Sequence, residues 1–217
     1  MAQAPARSSP PARFAVFEED LDDGWAALYG RAGALAVDTE AMGLVHGRDR
    51  LCLVQLCDPA DNVCCIRLRP GQRQAPRLRA LLEDAAVEKV FHFARFDVAA
   101  LAENLDIAVA PVFCTKIASR LARTYSPRHG LKEVLLDLVG VELDKQAQSS
   151  DWGRVDQLSE AQLLYAAGDV RWLLAARERL EAMLRREGRW DLARQCFGCV
   201  GVFAQLDRQR FGSVFEH

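Results

Sequence analysis

The order in which the hydrophobic period changes along this chain constrains its fold more than any single motif. Short apolar runs of strand length recur at Phe14 to Phe17, Ala34 to Asp38, Leu51 to Cys57, Asn62 to Ile66, Lys89 to Phe93 and Pro111 to Cys114. Between them lie helix-patterned stretches at Gly24 to Tyr29, Ala75 to Glu83 and Arg95 to Asn104, with a further one from Thr115 to Leu121. Beyond the Tyr125 to Gly130 loop the pattern is helical only: Leu131 to Leu138, a long segment from Ser159 to about Glu187, and one more packed helix over Trp190 to Ala204. Strands with interleaved helices followed by a helical run predict an α/β domain, a mixed central sheet flanked by helices with a helical C-terminal part. The Asp58-Pro59-Ala60-Asp61 turn between two of the strands predicts an antiparallel hairpin.

At 217 residues, half of them hydrophobic, the chain can bury one proper core. The expected organisation is a disordered tail over 1–13, one main domain over 14–187, and a C-terminal helical extension over 188–217 packed on the same domain. The first thirteen residues lack the apolar core of a secretory signal, and Pro10 and Pro11 interrupt the amphipathic helix of a transit peptide. No apolar run approaches the roughly 20 residues of a membrane helix. An odd count of seven cysteines at irregular spacing argues for a reducing compartment, so a cytoplasmic, non-membrane protein is expected. Cys196 and Cys199 form a CxxC pair without a second zinc-spaced pair, and packing is their simplest role.

The carboxylates are more informative than the net charge of −2, which marks no global nucleic-acid field. Asp38 and Glu40 stand two apart at the end of an apolar strand, so the pleat puts both on one face, where they repel and call for a cation. Hard oxygen ligands suit Mg²⁺ or Mn²⁺ better than zinc. A solvated strand end would carry the same pair. Tyr165 and Asp169 stand four apart among Leu163, Ala166, Ala167 and Val170, one turn apart on one helix face, and an acid in so apolar a stretch needs a partner. Asp97 falls just inside a helix, where the macrodipole alone would favour an acid. His92 reads as a core histidine.

Taken in order, Val37-Asp38-Thr39-Glu40, Phe91-His92-Phe93-Ala94-Arg95-Phe96-Asp97 and Tyr165-Ala166-Ala167-Gly168-Asp169-Val170 resemble the three exonuclease motifs of the DEDD superfamily. Gly130-Leu131-Lys132 and the Leu143 to Trp152 segment resemble ribonuclease D. The resemblance implies a ribonuclease H-like fold and a 3′-5′ exonuclease with two divalent ions, Mg²⁺ or Mn²⁺. It places Asp38, Glu40, Asp97 and Asp169 at the four acidic ligand positions and Tyr165 at the catalytic tyrosine. The histidine subclass carries its base five residues before the last Asp. Leu164 stands there, which implies the tyrosine subclass. The corresponding expectation is that Asp38 bridges both ions, Glu40 and Asp169 complete the site holding the nucleophile, and Asp97 supports the second ion through water.

The expected activity is hydrolysis of RNA from its 3′ end to nucleoside 5′-monophosphates, with single-stranded RNA 3′ ends, structured precursors included, as partners. Lys145, Gln148 and Ser150 are polar groups suited to phosphate or sugar contact. A 3′-5′ exonuclease acting on DNA and a non-catalytic RNA-binding scaffold are the competing readings. Longer ribonuclease D relatives carry helical nucleic-acid-binding domains, which the roughly thirty residues after the last motif helix are too few to form.

Overall fold

In the computed structural model, which describes residues 10–143, 151–211 and 214–215, six strands form one sheet. They are β1 (Arg13–Glu18), β2 (Ala34–Ala41), β3 (Leu51–Cys57), β4 (Asn62–Arg67), β5 (Glu88–Phe91) and β6 (Val112–Cys114). Helices α1 (Asp23–Tyr29), α2 (Pro76–Glu83), α3 (Ala94–Leu105), α4 (Thr115–Ala122) and α5 (Leu131–Val139) are followed by α6 (Glu160–Arg171), α7 (Leu173–Arg186), α8 (Trp190–Gly198) and α9 (Val200–Arg208). The strand order is β1-β4-β3-β2-β5-β6. The β2–β3 and β3–β4 pairs are antiparallel, whereas β1–β4, β2–β5 and β5–β6 are parallel. The sheet is therefore mixed, and the hairpin lies where the Asp58 to Asp61 turn calls for it.

Every residue of β3 is buried, the signature of a central strand covered on both faces. Helix α6 lies against β2, β3 and β4, and helix α3 packs beside β2 and β5. The main core runs from Trp25 and Tyr29 through the central strands to Leu180 and Leu184 of α7. A smaller cluster, Cys52, Leu53, Cys65, Trp152, Val155, Leu158, Leu163 and Ala166, sits under α6. Five of the seven cysteines are buried among these apolar groups, and none is disulfide-bonded.

The structure corrects four details of the sequence reading. Strand β1 begins at Arg13, the last residue of the expected tail, where it pairs with Asn62 of β4. The long helical segment after Ser159 is two helices. Trp172, with φ −107°, ends α6, so that α6 can cover the sheet while α7 turns onto α4 and α5. The expected single helix over Trp190 to Ala204 is also two, broken at Cys199 between Gly198 and Gly201, which weaken a helix there. Cys199 is exposed rather than packed.

Candidate active site

Strand β2 supplies the first two carboxylates. Period-two geometry keeps Asp38 and Glu40 on one face, directly across from Gln55 and Leu53 of β3. Thr39 between them turns to α3 instead, and its hydroxyl donates to Asp97 Oδ1 at 2.6 Å. The chain passes from β5 into α3 through His92 and Phe93 alone, and Phe93 adopts a left-handed φ of 70° to do so. That conformation costs a bulky residue on the order of 1–3 kcal/mol, and its effect is to set Asp97 in the first turn of α3, 3% exposed.

Helix α6 supplies the remaining groups. A capping box fixes its start: Ser159 Oγ accepts from the Gln162 N–H at 3.2 Å, and the Gln162 side chain accepts from the Ser159 N–H at 2.9 Å. Fixing that end sets the phase of the helix. Ala166 and Ala167, both buried, let it lie close on the sheet, with Tyr165 and Asp169 on the face toward Asp38 and Glu40. The Tyr165 hydroxyl is close enough to Asp169 for each to perturb the ionisation of the other. Behind Tyr165, its ring lies 6.4 Å from that of the buried Trp152, centroid to centroid.

The three acids Asp38, Glu40 and Asp169 converge so that one carboxylate oxygen from each lies within 4.8 Å of the others. Asp97 stands outside this triplet, next to Asp38. Burial, reinforced by Asp97, Asp169 and Glu40, pushes the Asp38 carboxyl well above its ordinary range. Burial, reinforced by Asp169 and Asp97, raises Glu40 to about 8. Burial lifts Asp97 to about 7 against the opposing Thr39 hydrogen bond, and Asp169 to about 7 against the opposing influence of the Tyr165 hydroxyl. Four acids held this close in a partly dry site favour uptake of positive charge, and an all-oxygen donor set fits a hard divalent cation. The residues present therefore fit such an ion.

A cavity of about 880 Å³ opens beside the triplet, lined by Asp38 and Asp97 at its floor and by Leu44, Val45, Phe93 and Phe96 on its walls. Arg95 and Arg210 also face it. Asp38 thus belongs to both the acidic triplet and the cavity. His92 lines the same space, which its reading as a core residue missed. Its Nδ1 lies 2.9 Å from Thr115 Oγ1, whose own proton goes to the Phe91 carbonyl, so Nδ1 is the donor and Nε2 carries the lone pair. Burial holds His92 near pKa 4, so the ring is neutral at neutral pH.

The arginines at 67, 69, 77 and 79 each pair with an acid on the surface, which makes that cluster a solvated face rather than a phosphate track. Lys145, Gln148 and Ser150 lie outside the described residues. The Thr39–Asp97 contact was not anticipated. Its only sequence signal is that a hydroxyl residue sits between the two motif acids.

The family described as 3′-5′ exonuclease matches residues 15–185, which run from within β1 to the last turn of α7 and include all five motif residues. The chain belongs to this 3′-5′ exonuclease family. Its mixed sheet flanked by helices is the ribonuclease H-like exonuclease fold. Ribonuclease D of Acidiphilium cryptum is 38% identical over 175 residues, which cover 79% of this chain and 44% of that protein. The match thus spans less than half the length of that relative. Brucella melitensis NrnC bound to pGG is 43% identical with a TM-score of 0.86, and the match covers 91% of this chain and 94% of that one. The same protein with bound Mg²⁺ is 40% identical with a TM-score of 0.86, covering 94% and 97%. In the exonuclease, no helix among the described residues is long and apolar enough to cross a membrane.

Proposed function

We propose that this chain is a two-metal-ion exoribonuclease of the tyrosine subclass, which shortens single-stranded RNA from the 3′ end and releases nucleoside 5′-monophosphates. The observation that carries the reading is the convergence of Asp38, Glu40 and Asp169 within 4.8 Å, in a chain of the 3′-5′ exonuclease family. Asp38, Glu40 and Asp169 would hold one ion, and Asp38 with Asp97, through water, the other. The Mg²⁺ bound in the Brucella relative supports that ligand chemistry. When bound, the ions supply positive charge that activates water and offsets charge developing on the phosphate during in-line displacement.

The protein's own groups do the positioning. Burial, reinforced by the charges of Asp169, Glu40 and Asp38, raises the Tyr165 hydroxyl above its ordinary pKa, so at neutral pH it keeps its proton. Its oxygen is left to accept from a water, and Tyr165 therefore orients the nucleophile without acting as a general base. Leu44, 80% exposed, and Phe93, 47% exposed, offer apolar surface to bases at the cavity wall. Arg210 contributes positive charge toward phosphates, whereas Arg95 is held by Asp207 at the same cavity.

The pGG-bound Brucella relative, close to this chain in length, supports short oligoribonucleotides as the preferred species. The test compares 5′-labelled RNAs of two and of ten nucleotides with matched DNAs, resolving products by length and identifying the released mononucleotide. Stepwise loss from the 3′ end of RNA with 5′-monophosphate release supports the reading. Equal or faster loss from DNA replaces it with a DNA exonuclease, and binding without hydrolysis with an RNA-binding scaffold.

A further inference from the structure

Strand β3, Leu-Cys-Leu-Val-Gln-Leu-Cys, buries an amide among apolar neighbours. Gln55 is 0% exposed, and neither its Oε1 nor its Nε2 has a hydrogen-bond partner among the described residues. A buried amide left unpaired at both atoms is costly, and a leucine or methionine would fill the same space without that cost. Packing therefore does not account for a glutamine at this position.

The sheet register shows what the amide is next to. Gln55 is the direct cross-strand neighbour of Asp38 on β2 and of Cys65 on β4. Directly opposed residues of an antiparallel pair share a face, so Gln55 projects to the side that carries Asp38 and Glu40. That side lies under α6: the Cys65 thiol faces the Leu163 carbonyl at 3.9 Å, and Leu53 packs with Leu163 and Ala166. The amide is therefore enclosed between the strand that bears two of the acids and the helix that bears a third.

We propose that Gln55 is a positioning residue for Asp38, donating from Nε2 to the Asp38 carboxylate when a divalent ion is held and so fixing the orientation in which that carboxylate serves as ligand. Partners of this kind hold ligands in place without touching the ion, and their removal weakens metal binding by about 10- to 100-fold. The inference rests on the reading that Asp38 holds a divalent ion. It adds a function for a residue that none of the exonuclease motifs contains.

The test uses Gln55→Met, which keeps volume and removes the donor. Mn²⁺ affinity is measured by titration calorimetry on wild type, the variant and Asp38→Asn, and metal-free melting temperatures are taken in EDTA. The expected result is a Gln55→Met affinity reduced by about tenfold or more, with a metal-free melting temperature equal to wild type or a few degrees above it. Unchanged affinity overturns the proposal. So does a loss of affinity accompanied by a metal-free melting temperature that falls by several degrees, because the amide would then serve packing. Gln55→Leu takes the place of the methionine variant should that one fail to fold. Wild type that binds no Mn²⁺ overturns the metal-site reading itself, which separates the two failures.

Discussion

The Thr39 hydroxyl donates a 2.6 Å hydrogen bond to Asp97 Oδ1, joining the strand of Asp38 and Glu40 to the helix that brings the fourth acid. The bond stabilises the ionised form of a carboxyl that burial raises to about 7. Thr39→Val keeps the shape and removes the donor. Hydrogen bonds to charged groups contribute about 1.5–3 kcal/mol, so the variant should melt measurably lower. With Asp97 harder to ionise, its kcat at neutral pH should fall by about tenfold, with the loss shrinking as pH rises. Steady-state kinetics across pH check this, and an unchanged kcat would remove Asp97 positioning from the account.

The raised acids also make the metal-free protein sensitive to alkaline conditions. Asp97 and Asp169 sit near 7 and Glu40 near 8, against ordinary values of 3.8 and 4.5. Between those limits the folded state binds more protons than the unfolded state, so stability must fall as pH rises. In EDTA the melting temperature should decline from about pH 5 to pH 8, and adding Mg²⁺ should restore it most at the upper end. A flat or rising metal-free profile over that window would contradict the acidic site described here.

Tyr165→Phe retains the ring beside Trp152 and removes the hydroxyl near Asp169. A water-orienting group acts on the chemical step, so kcat should drop by about 10²-fold or more with KM little changed. Because the Tyr165 hydroxyl lowers the Asp169 pKa, Mn²⁺ binding should also shift to higher pH. Full activity in Tyr165→Phe would assign the tyrosine to packing.

Arg50 reaches three backbone carbonyls, donating to Gly153 at 2.6 Å, Leu68 at 3.0 Å and Leu51 at 3.3 Å. The first of these pins the segment that carries Trp152, 4% exposed, against Tyr165. Arg50→Ala should therefore cost about 2 kcal/mol or more in urea unfolding and lower kcat more than it raises KM. A stability loss with kcat intact would show that the clamp does not reach the tyrosine.

Local periodicity made much of this site legible. Two residues of spacing put Asp38 and Glu40 on one pleat face, and four put Tyr165 and Asp169 on one helical turn; neither depends on the rest of the fold. The Thr39–Asp97 bond joins residues 58 apart and needs the passage through Phe93, whose left-handed conformation nothing in its residue type suggests. Gln55 looked like one more residue of an apolar strand, because its relation to Asp38 exists only in the register of the sheet. The break at Trp172 was hidden for a similar reason: no glycine or proline marks it, and it answers to what α6 and α7 pack against.

The most direct measurement of the central claim is degradation of a 5′-labelled RNA with Mg²⁺, with EDTA, and by Asp169→Asn with Mg²⁺. The account predicts a ladder shortening from the 3′ end in the first reaction alone, with Asp169→Asn slower by several orders of magnitude while folded to the same melting temperature or above. Degradation that persists in EDTA, or an Asp169→Asn enzyme as fast as wild type, would contradict it.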